Sequence, residues 1–160
     1  LNEVINEKTV LIAVGAASNL SGTKNDIKII SERAHEVGAE VVVDAVHYAP
    51  HYQIDVKEMD CDFLLCSPYK FFGPHQGILW GKSNRMRDLP VAKLRVSSEE
   101  IPFRWMTGTQ SHEGMAGTTA AIDHKSWIGK EVSGDNGLDR KDALFGGYCA
   151  MVWDEAAVWS

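Results

Sequence analysis

The sequence is poor in cysteine. Cys61, Cys66 and Cys149 are the only three in 160 residues, and they form no CxxC pair and no metal-ligand spacing. That excludes a disulfide framework and a zinc ribbon, and no metal is expected. An odd, scattered set reads as reduced intracellular thiols. There is no long apolar run either. The longest stretches fall far below the roughly 20 residues that span a bilayer, so no membrane partner is expected. Basic runs are absent and the formal net charge is −6, which argues against nucleic acid as a partner. No G-x-G-x-x-G and no Walker sequence is present, so nothing marks a nucleotide site. Internal repeats and low-complexity tracts are missing too. The opening LNEVINEK has neither a basic n-region nor an apolar h-region. No secretory leader is expected there, and the reading is cytoplasmic.

A hydrophobic fraction of 44% over 160 residues is enough for one domain with a proper core. The pattern is α/β. Apolar, β-branched segments near 9–17, 40–44 and 62–66 read as strands. Between the first two, Ile27, Ile30, Ala34 and Val37 recur at helical spacing and Gly38 closes the run. Thr23 to Asp26 offers the caps, with Thr23 and Asp26 at capping-box spacing. This βαβ unit predicts parallel strands. The loop before 77–81 is too short for a parallel crossover, so that fourth strand is expected antiparallel. Val56 to Met59 reads as one helical turn. Ser83 to Arg104 has mixed charge and no clean period, and reads as irregular connection. Small residues from Glu113 to Trp127 suggest a closely packed helix. After the SGDNG loop, Leu144, Tyr148, Met151 or Val152 and Trp159 follow helical spacing, although Gly146-Gly147 is expected to weaken that helix by about 1 kcal/mol per glycine.

Two strands end in chemistry. Val41–Val43 runs into Asp44, and Asp62–Cys66 runs into Ser67-Pro68-Tyr69-Lys70. Open α/β sheets bind ligands at the carboxyl ends of their strands. Pyridoxal phosphate (PLP) chemistry uses such a pair, a lysine for the Schiff base and an acid facing the pyridine nitrogen. An Asp after a strand is also an ordinary turn former or helix cap, and a lysine in a turn is ordinarily solvated.

The surrounding residues carry a resemblance. DAVHYAPH followed by SPYKFFGPHQGILWGK, with ASNLSGTKND upstream and GTQSHEGMAGTTAAID downstream, resembles the class V aminotransferase family of fold type I PLP enzymes. The cysteine desulfurase-like branch is the nearest. Four segments agree in order, over about Thr9 to Asp123. The resemblance implies a mostly parallel sheet with flanking helices, the incomplete large domain of a PLP-dependent transferase. Residues 1–125 would belong to that domain, and 126–160 would lead as helix towards a small domain. Members are much longer chains, so the resemblance marks this one as an interior fragment that is inactive alone. It implies an amino-acid substrate, a homodimeric parent and a sulfur acceptor protein as partner. Desulfurases, aminotransferases, lyases and epimerases share this core, and a non-catalytic domain keeping only the fold is the contrasting class.

The resemblance assigns roles. Lys70 would form the internal aldimine, with Tyr69, Phe71 and Phe72 as its apolar shell. Asp44 would keep the ring nitrogen protonated. His47 stands where the branch commonly has a glutamine on the cofactor's phenolic oxygen; its alternative is a packed loop histidine. Asn19 would lie near the ring and the substrate carboxylate, or else form an Asx turn. Ser67 would bind phosphate. Tyr69 replaces a histidine of the branch's Ser-Gly-His-Lys sequence, and Pro68 removes one N–H donor. Thr109 would reach the phosphate of the neighbouring subunit, or else cap a helix. His51 reads as structural, His75 is open, and His35 and His124 are expected at the surface. Cys61 and Cys66 look like packing residues, and Cys149 has no electropositive setting. The substrate-binding arginine and the reactive cysteine are not identifiable. Trp105, Trp153 and Trp159 are expected to mark surface that missing parts would cover.

Overall fold

The computed structural model describes residues 3–158, with side chains up to Met151. Four strands form one sheet: β1 (Leu11–Gly15), β2 (Glu40–Asp44), β3 (Phe63–Cys66) and β4 (Ile78–Gly81), in the order β1-β2-β3-β4. β1, β2 and β3 are parallel, and β4 is antiparallel to β3. Both the βαβ reading and the short-loop argument hold. Val41 and Val43 are fully buried, as is most of Leu64.

Helix α1 (Ile27–Glu36) crosses between β1 and β2. Its buried residues Ile27, Ile30, Ser31 and Ala34 recur at the spacing of one helix face. Asp26 is its N-cap, accepting from the Ile29 N–H at 3.1 Å. Thr23 lies outside, its hydroxyl paired with Ser21 at 2.9 Å. The capping-box reading therefore gives way to a single Asp cap. Helix α2 (Val56–Met59) is the expected single turn, capped by Asp55.

The stretch read as irregular contains a helix, α3 (Ser83–Asp88), and a 3-10 turn at Phe103–Trp105. Arg104 donates to the carbonyls of Arg87 and Leu89 at 2.7 and 3.1 Å, and Trp105 Nε1 to that of Met86 at 2.8 Å. These distant donors satisfy the end of a short helix that lacks its own periodicity. Trp105 is accordingly half-buried rather than an exposed marker. The side chain of Trp153 and all of Trp159 lie outside the described residues. Exposed large aromatic side chains among the described residues include Phe72, Phe103, Trp127 and Phe145.

Helices α4 (His112–Ser133) and α5 (Arg140–Val158) pack on each other. A Cβ at Gly129 would collide with the Ala143 carbonyl, and one at Gly147 with the Lys125 carbonyl. Gly147 thus costs helix propensity but permits the close crossing.

The amino ends of β2 and β3 are tied by charge. Asp62 is 1% exposed. One of its oxygens accepts from the Val41 N–H and faces His35 Nε2, each at 2.9 Å. Lys82 Nζ lies 3.2 Å from the other oxygen and 2.7 Å from Asp60. Burial alone pushes the Asp62 carboxyl up, but the hydrogen bonds from His35, Val41 and Lys82 outweigh it and hold its pKa below the usual value. His35 is therefore a partly buried link from α1 to β3, not the surface residue expected.

Candidate active site

The register puts Gly15, Asp44 and Leu65 side by side. β1, β2 and β3 therefore all end at one edge. Because β4 is antiparallel, Ile78 pairs with Cys66 at that same edge, and the whole 67–77 loop lies there. Asp44 ends β2, and the turn bearing Lys70 leaves the adjacent strand β3.

That turn is a short 3-10 helix, Pro68–Phe71, with extended Ser67 before it and Pro68 at its first position. Proline suits that position, where its missing N–H is not needed. Phe72 follows with φ of +68°, an uncommon conformation for a bulky residue that costs about 1–3 kcal/mol. A Cβ at Gly73 would lie 2.7 Å from Pro68 Cβ, so only glycine closes the turn. The result is a rigid reversal. Phe71 turns inward at 6% exposure, and Lys70 is exposed. The Lys70 ammonium lies 5.0 Å from the centre of the Tyr69 ring, and that ring stacks on His75 at 5.1 Å. Ser67 is half-buried and its hydroxyl makes no capping bond.

Asp44 is exposed between buried Val43 and Ala45. Its Oδ1 accepts from the Val46 N–H at 2.9 Å. It is therefore a turn former as well as an edge carboxylate. His47 and Asn19 come together with His51 and Tyr52 around a cavity of about 270 Å³. The turn at Asn19 is held by Ser18, whose hydroxyl accepts from the Leu20 and Ser21 N–H groups at 3.2 Å each, rather than by Asn19 itself. Asp44, Ser67, Tyr69 and Lys70 share the edge but do not line that cavity. A larger cleft of about 370 Å³ beside the start of α1 contains none of the expected site residues. Thr109 is exposed just before α4. It is not the cap, because Ser111 accepts from the Gly114 N–H at 3.2 Å.

Cys61 and Cys66 are buried and Cys149 is exposed. Burial pushes the Cys61 thiol up to about 11, and raises Cys66 as well. Neither suits nucleophilic attack. Among the described residues no cluster of three or more His, Cys, Asp or Glu could hold a metal ion. Nor is any helix there long and apolar enough to cross a membrane.

The sequence places Tyr148 on a helix face without a role and does not single out Lys125. Lys125 is 1% exposed, and its ammonium donates to the Pro50 carbonyl at 2.7 Å and lies 3.7 Å from the Tyr148 ring centre. A lysine on a helix carries no local mark of burial. The only signal is its position three residues after Ile122 and four after Ala121, on the inward face.

The family model for class V aminotransferases matches residues 1–139. A cysteine desulfurase of Dickeya dadantii is 34% identical over 158 residues, covering 90% of this chain and 38% of the relative. A probable cysteine desulfurase of Halalkalibacterium halodurans is 36% identical over 141 residues, 81% of this chain and 35% of the relative. Among solved structures, the cysteine desulfurase CsdA of Escherichia coli superposes with a TM-score of 0.67 at 26% identity, covering 81% of this chain and 39% of that one. The chain spans about a third of the length of the curated relatives it matches.

Proposed function

The chain belongs to the class V aminotransferase family, and we propose that it is the cofactor-binding portion of a PLP-dependent enzyme that acts on an amino acid in the manner of a cysteine desulfurase. One observation carries the reading: Asp44 and the Lys70 turn leave adjacent parallel strands at the same edge of the sheet. The donor set suits the cofactor's three polar ends. Asp44 is an acid for the ring nitrogen. His47 and Asn19 supply hydrogen-bonding groups for the ring's phenolic oxygen and the substrate. Ser67, with its uncapped hydroxyl, and Tyr69 offer donors for phosphate. The strained Phe72 beside Lys70 fits a functional turn, since such backbone strain clusters at active sites.

When bound, PLP supplies a ring that accepts the electron pair left at the substrate's α-carbon. The chain's own residues do the rest. Lys70 would offer the amine that holds the cofactor and would move protons at the substrate's α-carbon. Asp44 keeps a proton on the pyridine nitrogen. Tyr69 and His75 form a flat stacked wall beside the lysine. The buried, raised thiols of Cys61 and Cys66 leave sulfur chemistry to a cysteine elsewhere in the protein. Residues 1–125 form part of the large domain and 126–160 lead towards a small domain. In the whole protein, two copies pair so that Thr109 reaches the neighbour's phosphate, and a sulfur acceptor protein takes the product. An aminotransferase, lyase or epimerase acting on another amino acid uses the same core. Turnover of L-cysteine to alanine, with an added dithiol reducing the released zero-valent sulfur to sulfide, separates them when measured beside pyruvate formation and pyruvate-dependent transamination. Alanine and sulfide formed in equal amounts support the desulfurase reading; sulfide accompanied by pyruvate instead of alanine, or transamination alone, overturns it.

A further inference from the structure

The turn after Asp44 satisfies its first half by itself. Ala45 and Tyr48 carbonyls accept from Tyr48, Ala49, His51 and Tyr52 N–H groups at 2.8 to 3.1 Å. The carbonyls of Ala49 and Pro50 are taken from outside. The Tyr148 hydroxyl, on α5, donates to Ala49 at 2.8 Å, and the Lys125 ammonium, on α4, donates to Pro50 at 2.7 Å. Burial pushes Tyr148 up to about 12, so it remains a donor. The two side chains also bind each other, with the ammonium 3.7 Å from the ring centre, where a cation is attracted to the aromatic face. The ammonium also lies 5.9 Å from the centre of the Phe71 ring, and Phe71 is next to Lys70.

Placing an ammonium at 1% exposure carries a desolvation cost of several kcal/mol. An apolar residue would pack α4 against the sheet more cheaply. What the lysine adds is direction: a charged donor fixed on one carbonyl, between the segment from Asp44 and the segment bearing Lys70. We propose that Lys125 and Tyr148 form a buried clamp that fixes the turn after Asp44, and with it His47, relative to the Lys70 turn. Lys125 is then a positioning residue for the cofactor site. The inference rests on the PLP reading for its purpose, but not for the clamp itself.

The test compares the wild-type protein with Lys125→Met, Tyr148→Phe and the double variant, using two readouts. The first is hydrogen exchange without cofactor. Both single variants should speed exchange in residues 46–52 at least tenfold while β2 and β3 keep their protection. The double variant should add little, because both donors act as one unit. The second is PLP titration, where the single variants should bind about tenfold more weakly yet still form an adduct at Lys70. Unchanged exchange in 46–52 overturns the clamp. So does exchange that rises equally in the strands, which would mean general packing. So does full additivity in the double variant, or unaltered PLP affinity. If Lys125→Met fails to fold, Tyr148→Phe, which keeps the ring, decides alone. A wild-type protein that forms no Lys70 adduct contradicts the PLP reading instead, and the exchange pattern still judges the clamp.

Discussion

His35 and Asp62 join α1 to the start of β3, with Nε2 2.9 Å from Oδ2. The carboxylate is also held by Lys82 and the Val41 N–H. The pKa values of both Asp62 and Asp60 are lowered in the folded state. Depressed carboxylates stabilise the fold fully above their unfolded value, near 3.8. The contribution is lost as pH falls through the lowered folded values. Chemical denaturation from pH 7 to pH 3 should therefore show stability falling below about pH 4. Asp62→Asn should flatten that fall. Asp62→Ala should cost about 1–3 kcal/mol at neutral pH, because the buried Val41 N–H loses its acceptor. An Asn variant with unaltered acid sensitivity would contradict this account.

The helix crossing makes a sharper prediction. Gly129→Ala and Gly147→Ala should each destabilise by about 1–3 kcal/mol, since backbone must move to admit the methyl group. Gly146 has nothing closer than 3.4 Å to its would-be Cβ. Gly146→Ala should be neutral or stabilising by up to about 1 kcal/mol, through helix propensity alone. Thermal unfolding of the three variants checks the contrast, and equal effects at all three positions would refute the close crossing.

Asp44 and Lys70 should fail differently. Asp44→Ala should leave the cofactor attached but slow α-carbon chemistry. Losing the carboxylate that faces the ring nitrogen should slow turnover at least tenfold, about 1.4 kcal/mol or more in the barrier. Asp44→Ala should also free the Val46 N–H, a small and exposed loss. Normal turnover by this variant would remove Asp44 from the ring nitrogen.

Much of the architecture was legible from local pattern. β2 reads directly from a β-branched run, α1 from its 27-30-34 spacing, and β4's direction from the shortness of the loop before it. The Asp44 and Lys70 segments stood out because each follows an apolar strand. What stayed hidden depends on partners distant in sequence. α3 lacks periodicity and is completed by Arg104 and Trp105. His35 looked like a surface residue because its carboxylates lie 25 and 27 positions away. Lys125 and Gly147 have meaning only at a helix crossing. The glycine read as a weakness of α5 is what lets α5 approach α4.

Thr109 carries the dimer proposal. In the whole protein, Thr109→Ala should weaken PLP affinity severalfold without changing the borohydride-reducible yield at saturating cofactor. A substitution that leaves affinity unchanged would detach Thr109 from any phosphate.

The most direct measurement is borohydride reduction of the whole protein with PLP, followed by peptide mapping. The account predicts a visible absorption band that reduction bleaches, and a phosphopyridoxyl group on Lys70 at near one per chain, with Lys70→Ala losing both. An adduct mapped to any other lysine, or full reducible occupancy in Lys70→Ala, would contradict it.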